Sequence, residues 1–315
     1  MISRDDSTPH VAKLASITMR NLEGCVRRKD VEDIYAIFVR QYTTDGPTAR
    51  PKEHAAAEAL LAEYADVFPD KLPDGLPPLR GGEHRIETFP GSPPPPPRPL
   101  RHQSTKDLAV FEEYTRTMIE AGQLRVSNSP YGAMALIVRK KDGTARVVID
   151  YRGLNEITKK NKYPLPLMDE MFDRVTGAKY FTKIDLRSGF HQIRIHDDDC
   201  AKTAFRTRYG SFEYTVLPMG LCNAPGTFMQ MMNETFRDLL DRSVLAFLDD
   251  ILVFSKTLAE HVAHVREVLE RLRKHKLYAK LSKCELFRDQ VEFLGHRIGA
   301  NGLAVMPDKV DAVRE

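Results

Sequence analysis

The stretch Ala246-Phe247-Leu248-Asp249-Asp250-Ile251-Leu252 sets two adjacent carboxylates inside a run that is otherwise apolar from Val244 to Phe254. Two β-rich runs meeting at a polar pair read as a hairpin. Asp is a good turn former, so a polar hairpin tip accounts for the pair taken alone. Carboxylates flanked by apolar strands nevertheless lose hydration, at a cost unless a counter-charge stands nearby. A third acid adds to the pattern. Asp185 closes the apolar stretch Tyr180-Phe181-Thr182-Lys183-Ile184-Asp185 before Leu186, and adjacent strands of one sheet would bring it beside Asp249 and Asp250. Three converging carboxylates repel one another unless hard cations join them. Mg²⁺ takes oxygen ligands, and two ions about 3.5–4 Å apart can clamp an in-line phosphoryl transfer. Strand-end acids are common, so at this point the turn reading and the metal reading both stand.

Outward from this stretch the periodicity is dense. Ser104-Thr105-Lys106-Asp107 resembles a capping box with Asp in place of Glu, and Leu108, Phe111, Tyr114, Met118 and Ile119 continue a helix up to Gly122. Residues 133–138 and 146–150 read as strands of a hairpin about Lys141-Asp142-Gly143-Thr144. The pattern predicts a helix over 168–175 and strands over 179–186 and 212–217. Asn223-Ala224-Pro225 opens a helix carrying Phe228, Met231, Met232, Phe236 and Leu239, whose methionines read as core. Leu258, Val262, Val265, Leu269 and Leu272 mark a long amphipathic helix. On it, His261 and His264 lack a cysteine or acid at zinc-like spacing, so they do not read as a metal site. Residues 291–298 and 303–305 form a last hairpin about Asn301-Gly302. Upstream, a helix is expected at 31–39 and a second at 53–64. Residues 73–99 are rich in Pro and Gly, with Pro93 to Pro97 unbroken. Such a run is an extended polyproline segment, read as a stiff strap or spacer rather than a groove ligand. Helices and strands alternate without a βαβ rhythm, so the fold class is α+β.

Composition bounds the rest. The 315 residues carry 47 Lys+Arg against 44 Asp+Glu, a formal charge of +3. That excludes a simple polycation coating nucleic acid and requires any basic surface to come from clustering. Four cysteines without a CxxC pair argue against a disulfide framework or structural zinc, and for a reducing compartment. No run of eighteen apolar residues suggests a membrane span, and MISRDDSTPH has no leader character. The expectation is an intracellular protein, cytoplasmic or nuclear, neither secreted nor membrane-bound. Residues 139–162 hold eight basic positions (139, 140, 141, 146, 152, 159, 160, 162) against three acidic ones (142, 150, 156), locally +5. A charge run of this kind is usually a solvated face.

KIDLRSGFHQIRI, LPMGLCNAPGTF, FLDDILVFS and EFLGHRIGANGL, in that order, resemble the successive polymerase motifs of a reverse transcriptase of the gypsy class of long-terminal-repeat retrotransposons. ADVFPDKLP, RVSNSPYGAMALIVRKKDG and VVIDYRGLN extend the likeness over residues 60–315. The resemblance implies a right-hand polymerase fold and an RNA-directed DNA polymerase that adds dNMP to a primer 3′-OH. It implies Asp185, Asp249 and Asp250 as catalytic metal ligands, with the Leu186 carbonyl as a further ligand. The cofactor is two Mg²⁺, for which Mn²⁺ can substitute. Lys140 or Lys141, with Arg146, match phosphate-contacting positions of the finger hairpin, and bidentate Arg suits that work. Phe190 falls on the gate that leaves no room for a 2′-hydroxyl; without the resemblance it is simply a core aromatic. Met219 occupies a dNTP-binding slot where the family commonly has Phe or Gln. Lys283 matches a candidate general acid for pyrophosphate departure, and Phe293, Leu294, Gly295 and His296 match the hairpin that grips the primer.

The domain organisation that follows is 1–52, resembling a protease–polymerase connector; 53–100, a short helix and strap; 101–290, fingers and palm; and 291–315, the primer-grip hairpin and the start of a thumb. Expected partners are an RNA or DNA template with a DNA primer, and dNTPs; oligomeric state is left open. No Asp-Ser/Thr-Gly protease motif precedes this core and no ribonuclease H segment follows it, so the chain reads as a polyprotein fragment or a degraded copy. The alternative function is a catalytically inactive remnant that binds primer and template.

Overall fold

The computed structural model describes residues 55–96, 99, 103–139, 143–300 and 302–305. The helix expected at 31–39, the rest of segment 1–52, and Lys140 and Lys141 lie outside them. The elements in chain order are α1 (Ala55–Glu63), α2 (Thr105–Glu120), β1 (Leu124–Val126), β2 (Ala133–Arg139), β3 (Ala145–Asp150), α3 (Arg152–Ile157), α4 (Met168–Arg174) and β4 (Tyr180–Asp185). They continue with α5 (Asp197–Cys200), β5 (Phe205–Thr207), β6 (Gly210–Tyr214), α6 (Ala224–Phe236), β7 (Val244–Phe247), β8 (Asp250–Ser255), α7 (Leu258–Lys274), β9 (Glu285–Arg288), β10 (Gln290–Phe293), β11 (His296–Gly299) and β12 (Gly302–Val305).

Local chemistry explains the boundaries. Ser104 Oγ accepts from the Asp107 N–H at 3.2 Å and starts α2. Thr257 and Glu260 form a reciprocal capping box at the start of α7, satisfying donors that the first turn leaves open. Asn223 precedes α6 without capping it. Its side chain instead accepts from Asn161 N–H and donates to the Lys159 carbonyl, tying the loop after α3 to the helix start.

Three sheets form. The first runs β1-β6-β5-β2-β3, the second β7-β8-β4-β9, and the third β10-β11-β12. Among the strand ladders of the described residues only β2 and β5 pair in parallel, and the others are antiparallel, so the α+β expectation stands. The second sheet positions the acids, and both its faces are covered. Ile251 and Val253 face the core that contains Phe228, Met232, Val265, Val268 and Leu269 from α6 and α7. Leu252 and Phe254 face the opposite cluster with Met171 and Phe172 of α4 and Val291, Phe293 and Ile298 of the third sheet. A strand buried on both faces needs no polar alternation, which is why Val244 to Phe254 is continuously apolar. Each such side chain removed from water contributes about 1.5–3 kcal/mol.

Two strands differ from expectation. The strand expected at 212–217 is β6, Gly210–Tyr214, and beyond it Val216 makes only an isolated bridge to Arg194. The run 291–298 is two strands, because Leu294 (φ 51°) and Gly295 (φ 75°) form a two-residue turn between Phe293 and His296. Positive φ at both central positions matches the twist of flanking strands.

Strap residues 72–96 cross the body by specific anchors. The His84 N–H donates to the Arg194 carbonyl, and the His84 carbonyl accepts from His196 N–H. The Ile86 N–H donates to Asp199, a buried carboxylate that also receives Arg85 Nε at 2.9 Å and Lys202 Nζ at 2.7 Å. Pro95 lies so close to Gly153 of α3 that a Cβ there would stand 3.0 Å from it.

Candidate active site

The register of the second sheet sets Ile184 opposite Ile251 and Asp185 opposite Asp250. Phe247 pairs with Asp250, so Leu248 and Asp249 make the turn between β7 and β8. Leu248 has φ 54°, an unfavourable left-handed conformation for a bulky residue and one that concentrates at functional turns. Its N–H is directed at Met229 Sδ, 3.1 Å away. The Asp249 carbonyl accepts from the Leu186 N–H at 3.0 Å, joining the hairpin tip to the residue after Asp185. Asp185, Leu186, Asp249 and Asp250 are therefore brought together at one sheet end.

Like charges directly opposite across an antiparallel pair destabilise it. Two lysines offset this. Lys283 Nζ lies 2.9 and 3.2 Å from the two Asp185 oxygens, and Lys183 Nζ lies 3.3 Å from Asp250 Oδ1. Among the described residues no cation pairs directly with Asp249, and its carboxyl is raised above the ordinary Asp value, first because burial disfavours its charge and then because Asp250 and Asp185 repel it, with Lys283 partly opposing. Among the described residues no three His, Cys, Asp or Glu side chains are gathered closely enough to hold an ion. The donor chemistry nonetheless fits a hard divalent cation, since the set is carboxylate oxygen and backbone carbonyl, and Asp249 is a carboxylate crowded by two others.

Sequence reasoning passed over Lys183, Gly189 and Gln192. Lys183 was findable, because two residues before Asp185 in a strand means the same face. Gly189 begins the 3-10 turn Gly189–Gln192, after Ser188 in left-handed conformation. A Cβ on Gly189 would lie 3.0 Å from two Phe228 ring atoms and 3.2 Å from Asp249 Cβ, so the turn packs directly on the Asp249 side chain. Phe190 follows, half-buried, with its ring centroid 5.0 Å from that of Phe228. Arg146 on β3 and the exposed Met219 are in contact through Nη2 and Sδ.

The other candidates lie on separate elements. Phe293 is fully buried, Leu294 and Gly295 form the β10–β11 turn, and the His296 ring lies tilted against Phe172 with centroids 4.8 Å apart. His261 is buried with its ring nitrogens on Thr182 (2.8 Å) and Ser255 (2.9 Å), and His264 also meets Ser255, so the histidine pair is a core network. Much of the basic run is paired: Arg139 with Asp107, Arg152 with Asp150, and Lys159 with Glu87.

A family model described as reverse transcriptase (RNA-dependent DNA polymerase) matches residues 138–298, which include all three acids. The chain belongs to the reverse transcriptase family. A retrovirus-related Pol polyprotein from transposon 297 of Drosophila melanogaster is 42% identical over 214 residues, covering 66% of this chain and 20% of that relative. The Tf2-3 transposon polyprotein of Schizosaccharomyces pombe is 34% identical over 255 residues, covering 81% of this chain and 19% of the relative. Both are transposon polyproteins, consistent with the gypsy-class assignment, and this reverse transcriptase chain spans about a fifth of their length. Among solved structures, the foamy viral protease-reverse transcriptase in complex with an RNA/DNA hybrid superposes with a TM-score of 0.74 at 23% identity, over 84% of this chain and 36% of that one. Its complex with double-stranded DNA gives 0.75, also at 23% identity, over 84% and 47%. The fold is thus that of a reverse transcriptase polymerase. Members of this family use divalent metal ions. Among the described residues no helix is long and apolar enough to cross a membrane.

Proposed function

We propose that this chain is an RNA-directed DNA polymerase that extends a DNA primer on an RNA or DNA template by two-metal phosphoryl transfer. The observation that carries this is the register: Asp185 opposite Asp250, with Asp249 at the adjoining turn and bonded through its carbonyl to Leu186. Asp185, Asp249, Asp250 and the Leu186 carbonyl would hold two Mg²⁺, or Mn²⁺. When bound, these ions neutralise phosphate charge and favour the ionised primer hydroxyl.

The chain's own residues do the rest. Arg146 binds triphosphate oxygens, assisted by Lys140 or Lys141. Phe190, braced by Phe228, occupies the space a 2′-hydroxyl would need, and Met219 packs beneath the incoming nucleotide. The primer 3′-hydroxyl gives its proton to solvent, its oxygen bonds to the α-phosphorus as the bridging oxygen leaves, and Lys283 passes a proton to the departing pyrophosphate. In the free protein that lysine rests on Asp185; its release from the carboxylate frees it for this role. Residues 293–296 hold the primer end through backbone contacts, which position without reading sequence. In this reading residues 101–290 are fingers and palm and 291–315 open the thumb.

The test is extension of a labelled primer on an RNA template of defined sequence, followed by sequencing of the product. Complementary product made by the wild type and absent with Asp249→Asn supports the reading. Template binding with no product would favour an inactive binding remnant, and untemplated addition would contradict the template-directed reading.

A further inference from the structure

Gln192 ends the turn that begins beside Asp249, and its side chain is buried. A buried primary amide brings two N–H donors and a carbonyl acceptor that must find partners. Here Nε2 donates to the Arg187 carbonyl and to the Tyr278 carbonyl, each at 2.8 Å, while Oε1 accepts from the Tyr278 N–H at 2.8 Å. One side chain therefore pairs with both main-chain groups of Tyr278, as a neighbouring strand would, and also holds the chain leaving Asp185.

The main chain continues the same junction. Arg187 N–H donates to the Tyr278 carbonyl and Lys280 N–H to the Asp185 carbonyl, each at 2.9 Å. A 3-10 turn, Leu281–Lys283, then delivers Lys283 to the Asp185 carboxylate. The Gln192 carbonyl in turn accepts from Arg80 Nη1. Arg80 Nε and Nη2 bond the carbonyls of His275 and Lys276, so the strap braces the start of the segment that carries Lys283.

We propose that Gln192 is a positioning residue of the polymerase site. It couples the segment running from Asp185 to Phe190 to the segment that carries Lys283, and so sets where the Lys283 ammonium can reach. This rests on the polymerase reading, in which Lys283 gives its proton to the leaving pyrophosphate oxygen.

The experiment uses the full chain with Gln192→Met, which keeps length and apolar volume but removes all three bonds, and Gln192→Glu, which keeps the acceptor and sets a carboxylate oxygen against two carbonyls. Single-turnover incorporation should fall about 10- to 100-fold, the scale of an ångström-level misplacement, with dNTP and primer–template affinity nearly unchanged. In a Lys283→Ala background the same substitutions should cost little more, because both act through one group. Multiplicative losses, or a wild-type rate in both variants, would overturn the proposal. Hydrogen exchange provides a readout independent of turnover: the Tyr278 and Lys280 amides should lose protection in Gln192→Met while those of 251–254 keep theirs. Unchanged Lys280 protection would also overturn it. If the wild type incorporates nothing while that protection is lost in the variant, the polymerase reading fails and the coupling of the two segments stands.

Discussion

At Asp249 stability and function pull in opposite directions. Its native carboxyl binds a proton more tightly than the unfolded chain does. Its ionised form therefore weakens the fold at neutral pH, and the loss is recovered as pH falls through the raised value. Asp249→Asn should accordingly abolish incorporation while raising the melting temperature of the metal-free protein, measurable by differential scanning fluorimetry at pH 7. Asp249 must also be ionised to serve as a ligand, so protons compete with Mg²⁺ for it, and incorporation lost at low pH should be partly restored by raising the Mg²⁺ concentration. Phe190 makes a separate prediction. Its ring is fixed against Phe228, and Phe190→Val would open space beside it, so the preference for dNTP over rNTP should fall by at least about tenfold, the scale of one pocket group. Competing single-nucleotide incorporations would measure this.

At the scale of elements, the turn Gly189–Gln192 and the β7–β8 hairpin act as one unit. Gly189→Ala would push a methyl against Phe228, which is buried, and against Asp249. The expected cost is about 1–3 kcal/mol in urea unfolding, with a drop in incorporation at unchanged template binding. Legibility in the sequence also divides at this scale. The three acids were readable because β4 and β8 are long and strongly apolar and end at their charges. The Leu294-Gly295 turn hid within 291–298 because Leu, unlike Asn or Asp, gives no hairpin signal at positive φ. Strands β1 and β5 have three residues each, too short to show a period, and the parallel β2–β5 pairing joins segments far apart in the chain. The role of Gln192 was unreadable for a similar reason: its partner Tyr278 is distant in sequence and met only in the fold.

For the molecule as a whole, the strap joins segments remote in sequence through groups that respond to acid. His84 is buried against Thr227, and burial pushes its pKa down to about 4, with Asp199 partly opposing. A histidine held neutral in the native state stabilises fully above its unfolded value of 6.5 and progressively less as pH falls to about 4. The loss approaches roughly 3 kcal/mol for a shift of this size. Urea midpoints at pH 7 and pH 5 should differ in the wild type, and by less in His84→Gln. Sequence composition reads residues 73–99 as a stiff strap or spacer but gives no sign of these anchors, since His84, Asp199 and Lys202 look like ordinary surface residues until the chain is folded.

In the proposed function the acids at one sheet end run a metal-dependent nucleotidyl transfer. Its most direct test is a Mg²⁺ titration of dTTP incorporation on primed poly(rA), comparing the wild type with Asp185→Asn, Asp249→Asn and Asp250→Asn. Incorporation by the wild type should be saturable and Mg²⁺-dependent, and it should be lost in all three variants with template binding retained. Incorporation that persists in Asp185→Asn or Asp249→Asn, or that needs no divalent ion, would contradict it.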